Sequence, residues 1–248
     1  MKCTDGNDPM KTDTISLLKE QSRGALEGRW GESVAYPAVL IALHMIATAI
    51  LASVMKSAGI AEVISGAGIA FILQVLISLF VWGADFHFLQ MLRRRETSFS
   101  DLLAVFRMQP DRFVLFGIIR GAVQILPAVP LLIALGQARK HPLTAVILAV
   151  IGAACLIAAL IFLLTYAMTG FVLLELSGDI SLQGAMRRSR LMMHGRKGRL
   201  FLTCASFIGW VLLAVITLGL GLLWITPYVL TTLCAFYESA KKGPGLSL

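Results

Sequence analysis

The sequence predicts an all-α bundle that crosses a membrane several times, and three observations predict it. Residues of the AVILMFWYC set make up 57% of the 248. With glycine counted and tyrosine left out, the share is about 64%, against about 45–50% in soluble domains. Charged residues are 15%, against about 25% in a soluble domain. Apolar runs of about 20 residues recur, enough for a helix to cross a hydrocarbon core of about 30 Å. These figures exclude a water-soluble globule, a disordered chain and a disulfide scaffold. They predict a cytoplasmic N-terminal segment over 1–33, one transmembrane domain over 34–237 and a short tail over 238–248.

The first 33 residues carry six acids and five bases. Insertion is therefore expected to rely on the first span rather than on a cleavable signal. Ile15, Leu18, Ser22, Ala25, Leu26 and Trp30 share one helical face, so this segment reads as an amphipathic helix with Trp30 at the interface. Residues 34–55 form the first span. Residues 69–89 form the second, after a turn with Lys56, Gly59 and Glu62. The third, 113–135, is interrupted by Arg120, Pro127 and Pro130.

The fourth apolar run, 143–176, is about 51 Å long as one helix, too long for the bilayer core. Its first 24 or so residues are read as the span, with Tyr166 at the interface and Thr169-Gly170 as a weak point. The last run, 200–237, is about 57 Å long as one helix. Gly219-Leu220-Gly221 breaks it and Pro227 follows, which favours two spans, 201–218 and 222–236. Six spans result; five, with a long bent last helix, is the alternative. Eighteen basic residues then lie on one side and three on the other, which predicts cytoplasmic termini. The five-span alternative gives 16 to 5 and keeps the N-terminus cytoplasmic.

Two cytoplasmic helices are expected between spans. Ser98-Phe99-Ser100-Asp101 has the form of a capping box leading into residues 102–108, and Pro110 ends that helix. Over 181–194, Leu182, Ala185, Met186, Ser189, Met192 and Met193 share one face. Arg187, Arg188 and Arg190 lie on the other face, Leu191 is the exception, and Gly195 suits a C-cap. Such a helix packs under the bundle and can meet an anionic inner leaflet.

The C-terminal third carries a recognisable pattern. Ala185-Met186-Arg187-Arg188-Ser189-Arg190-Leu191-Met192 leads to Gly195, Lys197 and Arg199-Leu200-Phe201. Ser206-Phe207-Ile208-Gly209-Trp210 and Thr217-Leu218-Gly219-Leu220-Gly221-Leu222-Leu223-Trp224 follow, then Pro227-Tyr228, Thr231 and Phe236-Tyr237-Glu238. This resembles the bacterial integral-membrane family catalogued as domain of unknown function 975. Ala25-Leu26-x-Gly28-x-Trp30 and Tyr166-Ala167-Met168 are similar to its patterns elsewhere. The family tends to carry proline after the Tyr-x-Met motif, where this chain has Thr169-Gly170. The resemblance implies a bacterial multi-span membrane protein and brings no activity with it.

Ionisable groups within spans are costly and are functional candidates. Asp85 precedes Arg93 by eight residues and Arg120 follows Arg112 by eight. Both are then about 10–12 Å from the cytoplasmic boundary by helix rise. An Asp85–Arg120 ion pair is expected, with His87 and Gln124 nearby and Gly117-x-x-x-Gly121 permitting close helix approach. Such a pair fixes helix register or forms a site for an anionic headgroup or a proton-coupled substrate. His44, alone in the first span, is expected to bond a backbone or hydroxyl partner.

Cys3, Cys155, Cys204 and Cys234 form no C-x-x-C pair, and no H-E-x-x-H, G-x-S-x-G or Walker pattern occurs. No catalytic residue, metal site or cofactor is expected. The leading expectation is a non-enzymatic envelope scaffold, lipid-associated module or subunit of a membrane complex in the bacterial cytoplasmic membrane. A transporter or permease-like component using an Asp85/Arg120 layer is the alternative, and a lipid enzyme ranks third. The implied partners are the bilayer, anionic lipid at the cytoplasmic face and a second copy or a complex partner, not nucleic acid.

Overall fold

In the computed structural model the described residues are 15–54, 60–108, 110–176 and 178–242. Helices α1 (Ile15–Leu26), α2 (Trp30–Val54) and α3 (Ile60–Leu92) open the chain, and a 3₁₀ segment (Phe99–Leu103) leads into the one-turn α4 (Ala104–Arg107). Then come α5 (Pro110–Ile125), α6 (Ala128–Gln137), α7 (Pro142–Thr165), α8 (Thr169–Glu175) and α9 (Leu182–Met192). α10 (Lys197–Ala205), α11 (Ile208–Ile216) and α12 (Leu222–Lys241) close it, and no strand occurs among the described residues.

The breaks have local causes. Pro127 lacks an N–H and crowds the residue before it, so α5 stops at Ile125 and α6 restarts beyond the proline. The long fourth run divides as expected: α7 ends at Thr165, Tyr166 closes it, and α8 starts at Thr169. Between α11 and α12, Leu218 and Gly219 both take positive φ, and Thr217 Oγ1 accepts the Gly221 N–H at 3.0 Å. That turn replaces one bent helix with two. Two local expectations change. Glu62 falls in the first turn of α3 rather than in the preceding connection, whose Lys56 and Gly59 lie outside the described residues. The helix expected over 102–108 is a 3₁₀ segment plus α4, although its capping box forms, with Asp101 Oδ2 accepting from the Ser98 N–H at 3.0 Å.

Five stretches are long and apolar enough to cross a membrane: Trp30–Ser53, Ser65–Leu92, Pro110–Gln137, Pro142–Glu175 and Lys197–Ile216. α12 is not among them because it carries Tyr228, Thr231, Thr232, Tyr237 and Glu238. It packs against α1, α2, α3 and α11. Its hydroxyls bond back within the helix, Thr231 to the Pro227 carbonyl and Thr232 to that of Tyr228, both at 2.7 Å.

The exposed apolar surface stops short of the helix ends, and the remainder makes a core. On α7 the exposed large side chains run over residues 143–161. That is about 27 Å by helix rise, close to a hydrocarbon thickness. The fully buried large side chains lie elsewhere: Tyr36, Phe88, Phe113, Phe116, Met193 and Tyr237 gather at one end. There the last turns of α3 meet α1, α8, α12 and the 3₁₀ segment. Gly83 makes this closure possible: a Cβ on it would lie 2.0 Å from the Leu102 carbonyl oxygen. α1 buries Leu18, Ser22 and Leu26 on its predicted face. α9 buries Leu182, Ala185, Ser189 and Met192, with Ser189 Oγ donating to the Thr165 carbonyl at 3.1 Å. The molecule thus has a lipid-facing end and an enclosed end.

Candidate functional site

α3 and α5 run antiparallel in a register that rings and glycines fix. Phe113 and Phe116 pack on Trp82, each with centroids 5.5 Å away. A Cβ on Gly117 would lie 3.0 Å from Ser78 Oγ, and one on Gly121 would lie 3.0 Å from the Phe71 ring. This register sets the Arg120 backbone near the level of Val75, ten residues before Asp85 on α3, while its side chain lines the same groove as Trp82, one turn from Asp85. No ion pair within 4 Å joins Asp85 to Arg120, and the two interact only through space. An Asp85–Arg120 contact requires Arg93 and Arg112 to stand at one level. They do not, because the chain between them folds back over Gly83 before α5 begins. Asp85 is 8% exposed, and its Oδ1 has no hydrogen-bond partner among the described residues.

Of the four residues expected together, only Arg120 and Gln124 share a surface. They line a groove of about 180 Å³ with His44 of α2 and Gln74 and Ser78 of α3. His44 Nδ1 meets the Leu40 carbonyl at 2.9 Å, the backbone partner expected of it. A carbonyl only accepts, so Nδ1 carries the proton and Nε2 is an acceptor. Gly117 and Gly121 contribute no side chain to the wall, which leaves the guanidinium room.

His87 belongs to the enclosed end. The Tyr36 hydroxyl donates to the Ser98 carbonyl at 2.9 Å, so His87 Nδ1 is the donor in their 2.7 Å contact. Asp101 Oδ2 lies 3.4 Å from the same nitrogen. The opposite nitrogen, Nε2, is 3.9 Å from Glu32 and has no hydrogen bond among the described residues. Glu32 is held in turn by Arg29 and Thr97.

The strongest electrostatic cluster lies beside it. Arg93 Nη2 meets Glu175 at 2.8 Å and Glu238 at 2.5 Å, and Lys241 Nζ meets Glu175 at 2.6 Å. Tyr237 donates to the other Glu175 oxygen at 2.5 Å. Burial opposes the Arg93 charge, but Glu238 and Glu175 outweigh it and hold its pKa above the ordinary value. Two bases face two acids, so α3, α8 and α12 are clamped by a nearly neutral unit. A cavity of about 570 Å³ adjoins this clamp, lined also by α1 residues Gln21 and Gly24.

The family model described as "Protein of unknown function (DUF975)" matches residues 10–243. The chain belongs to the DUF975 family. No curated protein and no solved structure matches it.

In this DUF975 chain the basic face of α9 is where the sequence placed it. Arg187 and Arg190 are exposed and Arg188 is half-buried, while the opposite face is covered. Among the described residues no group of three or more His, Cys, Asp or Glu is placed to hold a metal ion. Sequence reasoning missed the Arg93–Glu175–Glu238–Lys241 clamp by treating Arg93 as a topology signal. Two signals were available: Glu175, an acid near the end of a long apolar run, and the Tyr237-Glu238 pair within the family resemblance.

Proposed function

We propose that this DUF975 protein is a non-enzymatic, lipid-associated scaffold, or the membrane subunit of a larger complex, in the cytoplasmic membrane of a bacterium. The observation that carries the reading is α9. Its apolar face is seated on α8, and its free face offers Arg187 and Arg190 at the enclosed end of the bundle. A basic face held at that level attracts anionic lipid at roughly 1 kcal/mol per arginine near the surface. The 18 to 3 split of basic residues supports cytoplasmic termini. Arg196 donates to the Ser239 carbonyl at 3.2 Å, which brings both ends of the α10–α12 hairpin together and supports α12 as a sixth crossing.

The test is thermal unfolding in nanodiscs of phosphatidylglycerol and of phosphatidylcholine. The expected result is a higher Tm in phosphatidylglycerol, with the difference lost in the R187Q/R188Q/R190Q variant. Equal Tm values for the wild type in both lipids overturn the reading. A transporter-like component is the second reading, favoured by the break at Pro127 near the polar groove. Flux through reconstituted protein, abolished by Asp85→Asn, would replace the first reading with it.

A further inference from the structure

We propose that the groove between α2, α3 and α5 binds the phosphate of an anionic phospholipid, with Arg120 as its anchor. This site is separate from the basic face of α9. Arg120 makes no hydrogen bond and no ion pair within 4 Å among the described residues, although it lies in a stretch apolar enough to cross a membrane. The acid that acts on it, Asp85, does so only through space, forms no ion pair with it within 4 Å and is not part of the groove. A guanidinium so placed needs water, a snorkelling path or an anion.

The surroundings select an anion with a polar head. Gln74 and Gln124 each bring an amide that donates, Ser78 brings a hydroxyl, and His44 Nε2 accepts from a head-group hydroxyl. Arginine pairs with phosphate through two parallel N–H donors, a geometry lysine cannot supply. The size of the groove sets the second limit. A volume of about 180 Å³ takes a phosphate head and not a whole lipid, so the acyl chains remain outside in the hydrocarbon. Leu76, Ile118 and Ile125 are exposed on the same helices and offer them an apolar surface.

Depth agrees with this. On α5 the exposed large side chains of the lipid-facing end begin at Leu115, five residues before Arg120. Arg120 therefore stands about 8 Å inside the edge of the lipid-facing layer nearer the enclosed end. The phosphate of a lipid in that leaflet reaches this level with a local displacement smaller than the length of an arginine side chain.

The experiment is native mass spectrometry of the full chain, released from gentle detergent after adding one probe at a time. The probes are phosphatidylglycerol, phosphatidylcholine and inorganic phosphate. The expected result is a stoichiometric phosphatidylglycerol adduct on the wild type and on R187Q/R188Q/R190Q. In R120Q that adduct falls about tenfold or more, the loss that follows from one charge-assisted hydrogen bond. Gln124→Trp, which fills the groove and keeps the arginine, also loses the adduct. Circular dichroism shows whether each variant is folded, and Gln124→Trp keeps the test decisive if R120Q is not. Equal phosphatidylglycerol retention in wild type and both groove variants overturns the proposal. Equal retention of phosphatidylcholine, or capture of inorganic phosphate in place of lipid, also overturns it. Loss of the adduct in R187Q/R188Q/R190Q alone assigns the lipid to α9 and overturns the groove as its site.

Discussion

The two ends of the bundle treat charge in opposite ways. At the enclosed end Arg93, Glu175, Glu238 and Lys241 meet within 2.5–2.8 Å, and Tyr237 closes the remaining oxygen. Toward the lipid-facing end Arg120 has no such partner among the described residues and faces a groove. Charges that satisfy one another hold helices in place, and removing one partner strands the rest. A charge left open holds little in place and is available to a ligand. Stability in this molecule should therefore be concentrated at one end and binding at the other.

The largest expected effect is on the clamp. Arg93→Met leaves Glu238 without its cation and Glu175 with only Lys241, and should cost about 3 kcal/mol, the low end for a buried pair because the groups are partly exposed. Thermal unfolding in detergent reads this directly. A loss below about 1 kcal/mol would mean that the clamp is an ordinary surface pair. Gly83→Ala comes next. Its methyl would lie 2.0 Å from the Leu102 carbonyl oxygen, so the 3₁₀ segment must move off α3. About 2 kcal/mol is expected, with faster proteolysis near residues 95–103 as the local signature. Tyr36→Phe removes the hydroxyl shared by His87 and the Ser98 carbonyl and should cost about 1–2 kcal/mol in the same melt.

What the sequence made legible follows the same division. The long apolar helices, the break at Gly219, the division of the long fourth run and the two faces of α9 were readable, because each depends on local pattern. The face of α1 was readable for the same reason. The enclosed end was not. Its closure depends on Gly83 admitting a backbone carbonyl from nineteen residues on, and on Arg93 finding acids more than eighty residues away. Nothing in the spacing of the chain announces such meetings. The Asp85–Arg120 interaction stops short of the expected ion pair for a related reason. The nearest arginine on each helix does not mark a common depth, because the 3₁₀ segment and α4 shift the level at which α5 starts. Rings and small residues set the register, Trp82 against Phe113 and Gly117 against Ser78.

The smallest expected effect tests that register. Were Asp85 and Arg120 in contact, Arg120→Gln would strand a buried carboxylate, and adding Asp85→Asn would recover much of the loss. With no hydrogen bond and no ion pair within 4 Å between the two groups, the two changes should nearly add. A double-mutant cycle on unfolding free energy should give a coupling below about 0.5 kcal/mol, with Arg120→Gln alone near wild type. Asp85→Asn should be neutral or slightly stabilising, since Oδ1 loses no partner and a buried acid is removed. A coupling above about 2 kcal/mol would place the two side chains in contact and withdraw Arg120 from the groove. Near-zero coupling leaves the guanidinium without an internal partner, as the lipid-phosphate site requires.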